Sequence, residues 1–400
     1  MIFIGLDIGR ESHRYCIVDE AKKVLDKGIL PNASWSFEAW CRHVETVDGE
    51  VVVGVETQSG LSSPLDQFLE QQGWQVRQVT PEAVKTYRET VLRIHNKTDE
   101  TDALTIATVL VERADTQRRV KQPRRPLRHA TRWLERLVRM HTRLCNGLRK
   151  STAAYWPEVT QPSSPFYRMD LKYVMLLFEK CPDPAVMAAR GAKGMLRFFR
   201  DHGSNVPEKT VETIVQLARQ NTVCPEEKQI LLRETQMLAR SLRQLEDDKA
   251  EVESLILKLA KGDLQVQQLA AVRGVSVVLA ATFLGETQDI DNFRTDSHVA
   301  SYGGIGLRRI QTGKSKDTQG VQWRANRHLK RCLYVVADCM RANDLRSREH
   351  YNKKVAAGKT HQQALRCVAR QVVRMFFAML KRGRVYDPVR AITLRTKEVA

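Results

Sequence analysis

The sequence predicts an α/β domain over residues 1–112, a basic helix and coiled-coil linker over 113–262, and a mostly helical C-terminal domain over 263–400. Three observations carry this division. Short apolar runs separated by turn residues open the chain and then alternate with helical patterns. Residues 113–150 hold little β signal, and a heptad repeat occupies 231–259.

In the first domain, Ile2–Ile8, Arg14–Val18 and Lys23–Leu30 read as strands, with turn-like residues at Gly9 to Ser12 and Asp19 to Ala21. Ser34–Val47 has a helical pattern. Glu50–Glu56 is almost wholly apolar, as in a strand buried on both faces. A helix near Leu61–Gln72, a strand at Gln75–Val79 and helices at Pro81–Leu92 and Asp99–Val111 complete it. Three meandering strands followed by alternating strands and helices is the order of a ribonuclease-H-like domain.

Leu127, Leu134, Leu137, Val138, His141, Leu144 and Leu148 then mark the apolar face of a helix. Arg128, Arg132, Arg136, Arg139 and Arg143 form a basic stripe interrupted only by Glu135, which predicts nucleic-acid contact rather than a balanced solvated face. From Leu231 to Leu259 the 4-3 spacing of Leu231, Thr235, Leu238, Leu242, Leu245, Lys249, Val252, Ile256 and Leu259 predicts a coiled coil. Heptads alone leave open whether the partner is another copy or another helix of the same chain. Leu269–Glu286 reads as two helices around Gly274, a weak helix-hairpin-helix signal. A glycine-rich turn, a polar loop from Arg308 to Trp323, and basic helices near Arg324–Arg341 and Lys359–Lys381 follow.

The formal charge of +19 is unevenly placed. Residues 1–112 hold 11 Lys and Arg against 18 Asp and Glu, residues 113–150 hold 13 against 2, and residues 301–400 hold 23 against 6. An acidic first domain beside two basic segments predicts metal or chemistry in one and a grip on a polyanion in the others. No run of eighteen apolar residues exists, which argues against a membrane span, and Met1–Asp7 reads as a strand rather than a leader. Eight scattered cysteines with no Cys-x-x-Cys pair suit buried thiols in a reducing cytoplasm.

Asp7 and Glu56 end apolar strands, while Asp99 and Asp102 lie three residues apart on the first turn of an expected helix. Four converging carboxylates repel one another, and Mg²⁺ or Mn²⁺ is the natural counter-charge. A pair of such ions suits displacement at a phosphodiester. Taken singly, Asp99 could serve as a helix cap and Asp7 could begin a turn.

At these residues the chain resembles a known family. Gly5-Leu6-Asp7-Ile8, Val55-Glu56-Thr57 and Asn96-Lys97-Thr98-Asp99-Glu100-Thr101-Asp102-Ala103 look like the DEDD transposases of insertion sequences. Their relatives are the Piv-type DNA invertases and the bridge-RNA-guided recombinases. The likeness continues in Ala300–Leu307, Thr312-Gly313-Lys314-Ser315 and Arg324–Tyr334, and the Asn-Lys-Thr-Asp block is its most specific part. The resemblance implies a RuvC-like domain with Asp7, Glu56, Asp99 and Asp102 as the Mg²⁺-binding tetrad, and a C-terminal transposase domain that supplies a serine nucleophile to DNA. It also implies a dimer to tetramer with composite sites, a guide (bridge) RNA in some members, and a cytoplasmic, nucleoid-associated protein.

The family's serine is replaced here by Thr312, whose hydroxyl is equivalent but whose β-branch is stiffer, and Ser315 is the other hydroxyl in reach. Arg308, Arg309, Lys314 and Lys316 surround these hydroxyls in sequence and suit a phosphate, as do Arg324, Arg327, Lys330 and Arg331 further on. Arg308 stands where a phosphate-cradling P-loop needs its first glycine, which excludes ATP binding by that motif. The predicted function is a metal-dependent DNA transposase or site-specific recombinase. The alternatives are a Holliday-junction-resolvase-like nuclease with a water nucleophile and an inactive nucleic-acid-binding protein. With aromatics at 6% of residues, no stacking platform for single strands stands out.

Overall fold

The apolar runs at the N-terminus assemble into one five-stranded sheet. The computed structural model describes residues 1–47, 49–56, 63–113, 124–162, 164–310, 318–321, 325–383 and 386. By its internal contacts the chain divides into two units, Met1–Gln122 and Pro123–Ala400.

In the first unit β1 (Ile2–Ile8), β2 (Ser12–Val18) and β3 (Val24–Pro31) form an antiparallel meander. Then come α1 (Ser34–Glu45), β4 (Val51–Val55), α2 (Ser63–Gln71), β5 (Gln75–Gln78), α3 (Pro81–Thr90) and α4 (Asp99–Arg113). The strand order is β3-β2-β1-β4-β5, with β1, β4 and β5 parallel. Because side chains alternate along a strand, the sheet has two different apolar faces. Ile2, Ile4, Leu6, Val53 and Val55 pack with Phe37, Trp40, Val44, Leu65 and Leu69 of α1 and α2. Phe3 and Val52 point the other way, toward Val84 and Tyr87 of α3 and Ala103, Ile106, Ala107 and Leu110 of α4. The expected elements of 1–112 form in the expected order, each within a few residues of its expected ends, and residues 57–62 lie outside the described ones.

The second unit is mostly helical. It comprises α5 (Arg125–Tyr155), α6 (Lys172–Lys180), α7 (Pro184–Asp201), α8 (Glu208–Gln220), α9 (Lys228–Lys261), α10 (Leu264–Ala270), α11 (Val277–Thr287) and α12 (Asp296–Tyr302). A hairpin of β6 (Leu307–Ile310) and β7 (Thr318–Val321) leads to α13 (Arg327–Asn343), α14 (Leu345–Ala356) and α15 (His361–Arg382). The segment from Arg308 to Trp323, expected as a polar loop, thus contains two short paired strands. No helix among the described residues is long and apolar enough to cross a membrane.

The heptad repeat of 231–259 finds its partner inside the chain. α5 and α9, 31 and 34 residues long, lie antiparallel. Arg124 pairs with Asp263, His141 Nε2 with Glu246 Oε1 at 2.7 Å, and Ser151 Oγ with Glu234 Oε2 at 3.0 Å. As residue numbers rise along one arm they fall along the other. A straight helix drifts against a seven-residue repeat. Burial accordingly falls on Leu232 and Ala239 rather than Leu231 and Leu238, returns to Leu242, Leu245, Val252 and Ile256, and ends on Ala260 rather than Leu259. One end of this helical hairpin lies in a core with α10, α11, α13 and α15. Its other end lies in a second core with α6, α7 and α8. The eight cysteines are all free thiols, with Cys16, Cys41, Cys181 and Cys332 buried.

Candidate active site

Two glycines prepare the site. In the register of β1 against β4, Gly5 lies opposite Gly54 and Leu6 opposite Val55, so Asp7 and Glu56 end up side by side where the two strands end. Gly5 and Asp7 share a face of the sheet, as do Gly54 and Glu56, because the members of each pair lie two positions apart. That face carries α4. A Cβ on Gly5 would stand 2.0 Å from Ala103 O and 2.5 Å from Ala107 N, and one on Gly54 would stand 2.7 Å from Leu110 Cδ1. The missing side chains let the helix lie directly on the strands. The face that touches them, Ala103, Ile106, Ala107 and Leu110, continues toward the helix N-terminus through Asp102 and Asp99.

The start of α4 explains the spacing of its acids. Thr98 Oγ1 accepts from Thr101 N at 3.2 Å, while Thr98 N donates to Thr101 Oγ1 at 3.0 Å. This is a reciprocal capping box with threonine in the third position. The cap is therefore Thr98, and neither Asp99 nor Asp102 is consumed in that role. Acids in the first turn also meet the positive end of the helix dipole.

The charges of the other three acids reach Asp7. The Asp7 carboxyl is raised to about 6, first by burial and then by the charges of Asp99, Asp102 and Glu56, with Lys97 opposing them. Asp102 is buried and paired with the guanidinium of Arg88 on α3, itself only 6% exposed, while Lys97 Nζ stands 3.7 Å from its other oxygen. Asp99 is exposed at the helix end. Arg88 is absent from the sequence reading, although Val84, Tyr87 and Arg88 follow the 0-3-4 spacing of a buried helix face. An arginine on that face was the available signal.

Residues 4–157 match the family model of the IS110-type DEDD transposases, and residues 266–352 match that of the transposase IS116/IS110/IS902 family. The chain belongs to the IS110 family of transposases. It is 28% identical over 391 residues to the insertion element IS110 uncharacterized 43.6 kDa protein of Streptomyces coelicolor, covering 96% of this chain and 95% of that protein. It is 22% identical to the insertion element IS900 uncharacterized 42 kDa protein of Mycobacterium paratuberculosis, over 97% of each. The insertion element IS116 uncharacterized 44.8 kDa protein of Streptomyces clavuligerus is 25% identical over 74% of each chain.

The carboxylates of the transposase suit a hard divalent cation in donor chemistry, since every donor is oxygen and burial, followed by the charges of the other acids, already raises Asp7. They do not meet as a coordination shell. Among the described residues no three His, Cys, Asp or Glu side chains stand together at ligating distance, and Asp102 is engaged by Arg88 and Lys97.

In the helical unit of the transposase the basic residues separate into two groups. Arg128 and Arg132, expected on an outward stripe, turn to Glu286 of α11. Arg132 Nε and Nη2 donate to its two carboxylate oxygens at 2.6 and 2.8 Å, and Arg128 Nε stands 3.7 Å away. Burial would raise the Glu286 carboxyl, yet the hydrogen bonds from Arg132 and Asn326 and the charges of Arg132 and Arg128 hold it below the usual range. Arg139 pairs with Glu135, which also takes His328 and, at 3.4 Å, Arg331 of α13. Arg136, Arg143 and Arg327 are exposed, and Lys330 is half-buried. Arg308 and Arg309 fall on β6, while Thr312, Lys314, Ser315, Lys316 and Arg324 lie outside the described residues. Glu286 is the second residue that the sequence reading passed over. A lone acid in the last turn of an apolar helix, far from its arginines in sequence, gave no periodic sign of its role.

Proposed function

We propose that the protein is a Mg²⁺-dependent DNA transposase with a RuvC-like catalytic domain, in which Asp7, Glu56, Asp99 and Asp102 hold the metal and a hydroxyl of Thr312 or Ser315 is the nucleophile. The observation that carries the reading is the register of β1 against β4, which ends Asp7 beside Glu56 on the face covered by α4, the helix whose first turn holds Asp99 and Asp102; the raised Asp7 carboxyl, due first to burial and then to these acids, agrees with it. The strand order β3-β2-β1-β4-β5 and the family matches at 4–157 and 266–352 support it.

Magnesium bound there would supply charge neutralisation for the phosphodiester and its leaving oxygen. The chain's own part is to keep Asp7, Glu56 and Asp102 in place through the glycine contacts, the Thr98 cap and Arg88. The hydroxyl attacks phosphorus, its oxygen–phosphorus bond forms as the bond to the 3′ oxygen breaks, and its proton leaves to solvent. The product is a protein–DNA ester that retains the bond for rejoining. The exposed arginines and lysines of α5 and of 324–384 hold phosphate backbones, a guide RNA pairs with the target, and two or four copies assemble the site.

Incubation with Mg²⁺ and an element-end DNA nicked to trap an intermediate tests the reading. A covalent adduct is expected from the wild type. Asp7→Asn should abolish it, as should one of Thr312→Ala and Ser315→Ala. Cleavage without an adduct would assign a water nucleophile, and full strand transfer by both hydroxyl variants would overturn the covalent scheme.

A further inference from the structure

The segment that carries the candidate hydroxyls is closed at its neck by a polar clamp. The chain leaves α12 at Tyr302, runs through β6 and β7, and returns to Asn326 at the start of α13. There Asn326 N donates to Tyr302 O at 2.8 Å, and Asn326 Nδ2 donates to Tyr302 Oη at 2.9 Å. Between these ends Gly304 takes φ +64, and a Cβ on it would stand 2.6 Å from Ala325 Cβ, so the entering and leaving strands of chain touch.

Asn326 does three things at once. Its Oδ1 caps α13 by accepting from His328 N and Leu329 N, each at 3.0 Å. Its amide nitrogen ties Tyr302. That same nitrogen also donates at 2.7 Å to Glu286, whose side chain is fully buried and held by Nε and Nη2 of Arg132 on α5. Every lone pair and donor in this chain of contacts is directional, and the buried carboxylate strengthens the bonds it accepts. The stability of α13 alone needs only the Oδ1 cap. The contacts of Nδ2 add nothing to the helix and fix the neck instead.

We propose that Glu286 and Asn326 are positioning residues for the β6–β7 segment: anchored by Arg132, they set the neck from which the residues bearing the candidate hydroxyls, Thr312 and Ser315, are presented to DNA. The inference rests on the reading of Thr312 or Ser315 as nucleophile, and its test separates the two.

Asn326→Asp keeps the Oδ1 cap but removes the Nδ2 donor and sets a second carboxylate against Glu286. Tyr302→Phe removes only the outer acceptor. Glu286→Gln combined with Asn326→Asp restores an amide–carboxylate pair in reversed polarity. Three quantities are read on the full-length protein with its DNA: amide hydrogen exchange of β6 and β7, single-turnover cleavage, and DNA affinity. For Asn326→Asp the expected result is faster exchange in β6 and β7 with α13 still protected, cleavage lowered about 100-fold and DNA affinity within about 2-fold. The double variant should recover at least about 10-fold of the lost cleavage. Should Asn326→Asp unfold, Tyr302→Phe is read in the same way, with a smaller loss in the same direction. Unchanged exchange and unchanged cleavage would overturn the clamp, and so would loss of the α13 protection together with the hairpin's, since that is a capping defect. If β6–β7 exchange and cleavage respond while Thr312→Ala and Ser315→Ala stay fully active, the clamp stands and the nucleophile assignment falls.

Discussion

Asp7 is where burial and like charge act on one side chain, and the consequence is measurable without any metal. Its carboxyl is raised from the usual 3.8 to about 6, so the folded state binds this proton more readily than the unfolded chain. The stability contribution is fully present below about pH 4 and is lost as pH rises through 6. Asparagine carries no charge at any pH. With chelator present, Asp7→Asn should therefore be more stable than wild type at pH 8, by about 1–2 kcal/mol once solvent screening is allowed for, and the gain should vanish by pH 4. Urea titrations at the two pH values check this; equal midpoints at pH 8 would mean that neither burial nor the neighbouring acids raise the Asp7 carboxyl. Asp102 answers the same problem differently. Its charge is met by Arg88 inside the protein, and a buried carboxylate persists only with such a partner. The strand-end acids were legible in the sequence because an acid closing an apolar run is rare, whereas Arg88 looks in sequence like any arginine of an amphipathic helix.

At the scale of elements, the contact of α4 with the sheet decides whether the acids meet at all. The two glycines beneath it differ in what they would strike. A methyl at Gly5 meets the backbone of α4, at Ala103 O and Ala107 N, while one at Gly54 meets side chains, the end of Leu110, which can turn aside, and the stiffer Cγ2 branch of Ile106. Gly5→Ala should thus cost more than about 3 kcal/mol or displace the helix, and Gly54→Ala about 1–2 kcal/mol, as read by chemical denaturation. A reversed order would mean that α4 does not rest on β1. The helices of the second unit show the limit of pattern. The heptads of α9 gave the existence, length and approximate face of the helix. The partner α5 begins about a hundred residues earlier in the chain, and nothing in a repeat names what covers it. Likewise β6 and β7, four residues each, are too short and polar to stand out from a loop.

Over the whole molecule, the formal charge of +19 is a poor guide to which cations face outward. Arg128 and Arg132 are committed to Glu286, while Arg136 and Arg143 on the same helix are exposed. DNA affinity measured against salt should separate them. Arg136→Gln together with Arg143→Gln should lower the slope of log affinity against log salt by about 2, since each phosphate contact adds about 0.9. Arg132→Gln should leave the slope unchanged and lower the melting temperature instead. The opposite pattern would place Glu286 and its arginines at the DNA surface. The basic balance, the alternating first domain and the helical remainder were all readable in the sequence. The destination of each charge was not, because it depends on an acid more than a hundred and fifty residues away.

The antiparallel pairing of α5 and α9 has one more effect. Residues 158–265 lie between the two family matches, and α6, α7 and α8 are spliced in at the far tip of the pair. Their entry and exit are neighbours, with Asn221 Nδ2 donating to Tyr155 O at 3.1 Å and Ser151 beside Thr235. The detour still shares its footing with the route: Leu148 and Tyr155 of one arm and Leu232 and Leu242 of the other are buried in its core, so removing it would strip both arms of cover at that tip.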